Sequence, residues 1–236
     1  MRIRHLTFCW VTALIQGCEK DTTSENNWWE DAQYGDECAS GYADTASCYG
    51  DDDSSGEASH EHHEHEVITT VVLTFESGTS GEGIEVSWAD PENDGSPSVD
   101  DILLSNGTVY DVSVQFLNES EIPGEDLTPK IVDEEDEHQL FFTGSGVSGP
   151  ASDSSSALVQ HAYADQDASA LPIGLVNTFT TIATGTETLT VTLRHLPYED
   201  GHATKTAGLA SDVAEDGFSA IPGANDVQID FDLTVE

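Results

Sequence analysis

The stretch HEHHEHEVITTVVLTF, His60–Phe75, changes character at Val67, and that change decides the fold. Up to Glu66 it is histidine and glutamate alone. Beyond it, Val67, Val71, Leu73 and Phe75 share one face with Thr69 among them, the two-residue repeat of a half-buried strand. The same alternation recurs downstream. Ile84, Val86 and Trp88 alternate with Glu85 and Ser87, and Tyr110, Val112, Val114 and Phe116 with Asp111, Ser113 and Gln115. His138–Phe142 and Ala157–Tyr163 are further strand candidates, followed by Ile173–Thr181 and by Thr188–Leu196, which sets Leu189, Val191 and Leu193 inward. The chain closes on Val227, Ile229, Phe231, Leu233 and Val235, alternating with Gln228, Asp230, Asp232 and Thr234.

These runs make about eight strands separated by Gly, Pro, Asp and Ser turns, with only Glu125–Glu137 offering a short acidic helix in competition. The fold expected for 67–236 is all-β, an antiparallel immunoglobulin-like β-sandwich. It lacks the immunoglobulin disulfide, because no Cys follows Cys48. Three connections stand out: acidic Asn118–Glu137, Gly/Ser-rich Thr143–Ser156 and the long Pro197–Asp226. A connection of that last length is usually functional or without fixed structure.

Upstream of the tract, Glu19–Ser59 is rich in Asp, Glu, Ser, Thr, Gly and Asn and shows no apolar periodicity. Such a segment cannot bury enough surface to offset chain entropy, so 18–66 is expected to be a disordered acidic tether. As a flexible coil, its part before the tract reaches roughly 35 Å. The first residues, MRIRHLTFCWVTALIQGC, join a basic start at Arg2 and Arg4 to the mainly apolar Leu6–Ile15. That run is too short to span a bilayer, which takes roughly 20 helical residues, and suits a signal peptide over 1–17. Ile15-Gln16-Gly17-Cys18 resembles a bacterial lipobox, which implies acylation of Cys18. The expectation is a lipid-anchored protein of the bacterial cell envelope, on the outer membrane, touching the membrane through that anchor alone. Cys38 and Cys48 remain in the exported chain, where such a pair is expected to form a disulfide rather than stay as two thiols.

Charge narrows the partners. Six Lys and Arg stand against 46 Asp and Glu, a net charge of −40. That surface repels nucleic acid and anionic headgroups and attracts cations and basic proteins. Solubility, including in salty surroundings, is the plainer reading of the same charge.

Four stretches, EVITTVVLTF (66–75), GTVYDVSVQFLNESEIPGEDLTPKIVDEEDEHQLFF (107–142), YADQDASALPIGLVNTFTT (163–181) and LTVTLRHLP (189–197), carry a family resemblance. They resemble a family of bacterial lipoproteins with a single β-domain, sometimes labelled a type 1 periplasmic-binding-fold superfamily protein. The α/β fold implied by that label conflicts with the alternation above. The resemblance brings no activity with it.

Metal is the chemistry most strongly hinted at. His60, His62, His63 and His65, interleaved with carboxylates, offer imidazole and oxygen ligands to Zn²⁺, Ni²⁺ or Cu²⁺, or form a merely polar linker. In the domain, His138, His161 and His195 fall in phase with apolar faces at or near strand ends, beside Glu134–Glu137 in the first case. If those ends converge, they make a zinc site of imidazoles and carboxylates, which the tract would feed. Otherwise they are core-edge histidines with local partners. Asp90 and Asp94, and Asp165 and Asp167, lie in oxygen-rich turns that suggest calcium, though neither matches the spacing of an EF-hand loop. Enzyme signatures are missing: no G-x-S-x-G, no P-loop, and no H-E-x-x-H on an expected helix. The reading is a non-enzymatic envelope lipoprotein that captures zinc or delivers it to an envelope transporter. The runner-up is a structural or adhesion β-module, stabilised by calcium or solubilised by acid.

Overall fold

The structure is a computed structural model that describes residues 66–78 and 83–236, all within the second of two units, Ser59–Glu236. The expected signal peptide, the tether up to His65, the histidines His60, His62, His63 and His65, and Cys18, Cys38 and Cys48 lie outside the described residues.

The described chain is all-β with short helices. In order it forms β1 (Thr70–Ser77), β2 (Gly83–Ala89), β3 (Ser98–Val99), β4 (Ile102–Leu104), β5 (Val109–Asn118) and β6 (Glu125–Asp126). Helix α1 (Thr128–Asp133) leads to β7 (His138–Thr143), β8 (Val147–Gly149), β9 (Ser152–Asp153), β10 (Val159–Tyr163), β11 (Val176–Thr181) and β12 (Gly185–His195). Helix α2 (Leu209–Asp216) and a 3₁₀ turn (Phe218–Ala220) precede β13 (Ala224–Val235). The expected helix within Glu125–Glu137 is thus α1 alone, opened by Pro129 in its first turn, where a missing N–H costs nothing. No helix among the described residues is long and apolar enough to cross a membrane.

Two sheets hold these strands. One has nine strands in the order β3-β2-β1-β5-β11-β10-β8-β9, with β6 beside β5; the other runs β4-β13-β12-β7. The alternation read from the chain is what buries their facing sides. Val71, Leu73 and Phe75 of β1 and Val112, Val114 and Phe116 of β5 meet Leu189, Val191 and Leu193 of β12 and Ile229, Phe231 and Leu233 of β13 in one core. Phe142 of the smaller sheet packs edge-on against Phe179 of the larger, ring centroids 5.2 Å apart. Most pairings are antiparallel as expected, but β10 pairs with β8 and β13 with β4 in parallel. Intervening chain permits this: β9 stands between β8 and β10 in sequence, and β4 and β13 are separated by most of the domain, so no hairpin dictates either direction.

The long connection 197–226 departs from the expectation of a loop. It folds back over the outer face of β7 and β12. Leu209 and Val213 of α2, with Leu196 and Ile221, pack on Phe141, and Phe218 meets Phe141 edge-on at 5.4 Å. This explains why β7 reads HQLFF without alternation: a strand covered on both faces has no solvent side to keep polar. Arg194 secures the return of this segment. Its guanidinium donates to the carbonyls of Pro222 and Ile221 and to Asn225 Oδ1, and lies over the Phe218 ring.

Candidate metal centre

His138 opens β7 and His195 closes β12, and the antiparallel register makes them direct cross-strand partners. Their side chains therefore leave the sheet on the same side. His195 Nδ1 lies 3.1 Å from His138 Nε2, and the rings stand edge to face with centroids 4.8 Å apart.

The third member comes from an irregularity. Along the β12–β13 ladder Leu193 faces Val227, but Arg194 faces Asn225, so Asp226 is an extra residue with no partner of its own in the register. Such a bulge re-aims the side chain it carries. Regular alternation would set Asp226 on the solvent side with Gln228 and Asp230. Instead its carboxylate is fully buried, with Oδ2 3.5 Å from His138 Nε2. Ligand atoms of His138, His195 and Asp226 all lie within 4.8 Å of one another.

The outer nitrogen of His138 is backed by a hydrogen-bonded oxygen, and that of His195 faces a carboxylate at longer range. With its proton on Nδ1, His138 donates to the Glu134 carbonyl at 3.2 Å, which leaves the Nε2 lone pair facing His195 and Asp226. On the far side of His195, Nε2 is 3.8 Å from Glu137 Oε2. Imidazoles that ligate metals are commonly oriented as His138 is, one nitrogen held by an oxygen and the other presented to the ion; Glu137 stands by His195 at ion-pair distance only. Helix α1 and the turn after it bring both oxygens to the start of β7.

A tetrahedral ion with bonds of 2.0–2.1 Å sets neighbouring donors about 3.3 Å apart. The 3.1 Å N···N and 3.5 Å N···O separations bracket that edge length. Two imidazoles and one carboxylate suit Zn²⁺ and leave a fourth position for water or a further oxygen. Without an ion, the same geometry keeps His138 charged more readily than usual. Burial opposes the imidazolium, but the hydrogen bond and charge of Asp226, the Glu134 carbonyl and the Glu66 charge together outweigh it and raise the pKa.

His161 does not join this group. It sits on β10, in the other sheet, with Nε2 2.9 Å from Asn177 Oδ1 and its ring among Phe142, Tyr163 and Phe179. Burial pushes its pKa down to about 4, against the raising effects of Asn177 and Asp165, so it is a neutral core residue. Parity aligns it with Val159 and Tyr163, but parity does not say which sheet a strand enters.

The turns that suggested calcium use their carboxylates internally. Asp90 accepts the N–H groups of Asp94 and Gly95, and Asp94 that of Ser96. Asp165 accepts three, from Gly174, Leu175 and Val176. Asp167 accepts those of Ser169 and Leu171 and pairs with Lys205 at 2.9 Å, so an ammonium stands beside the carboxylate where a metal ion would have to sit. Lys205 is itself buried and also donates to the Glu135 carbonyl at 2.6 Å.

Comparison with known protein families, with curated proteins and with solved structures found no match. The centre is therefore read from its own chemistry.

Proposed function

We propose that the protein is a non-enzymatic lipoprotein of the cell envelope that binds a divalent transition metal, zinc foremost, and that its domain holds the ion with His138, His195 and Asp226. One observation carries the reading. Two buried imidazole nitrogens 3.1 Å apart and a buried carboxylate 3.5 Å from one of them gather within 4.8 Å, and His138 is backed by the Glu134 carbonyl on its other side. The excess of 46 acidic over six basic residues favours a cationic ligand, because the field of the whole chain concentrates cations at its surface. The His/Glu tract supplies a second, looser set of ligands, suited to capture before delivery to an envelope transporter.

Calorimetric titration of the full chain with Zn²⁺ tests this, beside a variant with His60, His62, His63 and His65 changed to Ala. Zinc binding that persists at one equivalent in the variant supports the domain centre. Complete loss there sinks it and leaves the tract as the collector. If neither protein binds zinc, the structural β-module becomes the better reading, with the histidine pair serving as a hydrogen-bonded pin between β7 and β12.

A further inference from the structure

The buried centre meets solvent more openly at Glu134 than at His195 and Glu137, whose side chains are 8% and 10% exposed. Glu134, its side chain 30% exposed, stands with the half-buried Glu66 against His138, and ligand atoms of these three also lie within 4.8 Å of one another. Glu134 Oε2 is 3.9 Å from His138 Nδ1, whereas His195 and Asp226 stand at Nε2. The two nitrogens of an imidazole lie on different edges of the ring. His138 therefore divides a partly solvated pair of carboxylates from a drier set of nitrogen and carboxylate donors. Glu66 is also the last residue of HEHHEHE.

We propose that Glu66 and Glu134 form a receiving position for a hydrated divalent transition metal on its way to His138, His195 and Asp226. The proposal rests on the metal reading of that buried centre. Carboxylates at a solvent boundary suit the first step. They attract the cation and replace some of its waters, while leaving others to exchange. The buried centre suits the second, because imidazole nitrogen binds zinc better than it binds a hard cation, and burial excludes competing water. Position in the chain supports the order: the tract's ligands end where the receiving carboxylates begin.

Stopped-flow mixing with Co²⁺, followed by the visible absorption of tetrahedral cobalt, separates the roles. The parent is the full chain with His60, His62, His63 and His65 changed to Ala, so that only the domain contributes to the signal. Into it go Glu66→Gln, Glu134→Gln and the pair together. A residue on the path that is not a final ligand changes the rates of binding and release by the same factor and leaves Kd alone. The double variant is expected to slow both rates about tenfold, with Kd held within about twofold. Unchanged rates overturn the proposal. So does a weakened Kd caused by faster release alone, which would make these carboxylates final ligands. The absence of a tetrahedral cobalt band in the parent overturns the metal reading itself, an outcome distinct from any change of rate.

Discussion

Asp226 reaches to 3.5 Å from His138 because the β12–β13 ladder skips it, opposite the step from Leu193 to Arg194. The carboxylate is placed by a defect in the register, and Arg194, the next residue of β12, holds the incoming chain in that register through Asn225 Oδ1 and the Pro222 carbonyl.

Asp226→Asn keeps the size of the side chain and removes its charge. Cobalt or zinc affinity of the domain is expected to fall by at least the 10–100-fold typical of losing even an outlying partner of a metal site. The fold should survive, as judged by far-UV circular dichroism. Unaltered affinity would remove Asp226 from the ligand set.

Gly223 stands just before β13 with φ +83°, and a Cβ there would collide with the carbonyl oxygen of His195. Gly223→Ala must therefore displace the end of β12, and with it His195. The left-handed backbone adds about 1–2 kcal/mol of strain for any residue with a Cβ. A lowered melting temperature together with weakened cobalt binding is expected. Loss of stability with cobalt affinity intact would show that the centre tolerates movement of His195.

Lys205 and Asp167 pair at 2.9 Å with both side chains about 1% exposed. Burial works against the charge on Lys205 and lowers its pKa, while Asp167 and its neighbours raise it. Lys205→Met leaves Asp167 buried with its two backbone donors but no cation, and breaking such a pair costs about 3–5 kcal/mol. Adding Asp167→Asn should recover part of the loss. Chemical denaturation of the two variants measures both steps, and equal stability of all three proteins would refute the internal counter-ion.

His161 gives the acid limb of stability a definite sign. Its pKa is pushed down to about 4 in the folded chain and returns to the ordinary histidine value on unfolding. The unfolded state therefore binds the proton first as pH falls. The contribution of His161 is fully present above about pH 6.5 and is lost progressively toward pH 4, on the order of 3 kcal/mol in all. His161→Gln, which keeps an amide partner for Asn177, should flatten that part of the profile of melting temperature against pH. An unchanged slope would mean that His161 does not titrate in this way.

Much of the fold was legible because burial on one face leaves a period of two. The runs at Val71–Phe75, Tyr110–Phe116, Leu189–Leu193 and Ile229–Val235 became β1, β5, β12 and β13 for that reason. The helix within the long segment 197–226 leaves little mark in the sequence. Leu209 and Val213 are only two buried positions in a short helix, too few to show a helical period, and their partners Phe141 and Leu196 are distant in sequence. The histidine pair was half legible: parity marked His138 and His195 as facing inward, and marked His161 equally. Asp226 was not legible at all, since alternation alone places it outward.

The amino-acid sequence by itself determined the all-β class, the inward faces of the long strands and the acidic field, because these depend on local alternation and on sums over composition. Only the tertiary structure decided that His138 and His195 meet while His161 turns to Asn177, that Lys205 neutralises Asp167, and that a bulge swings Asp226 into the centre. The physical reason is common to all of these. Strand pairing and register are settled by contacts between residues far apart in the chain, and a shift of one residue in register reverses the face on which a side chain lies.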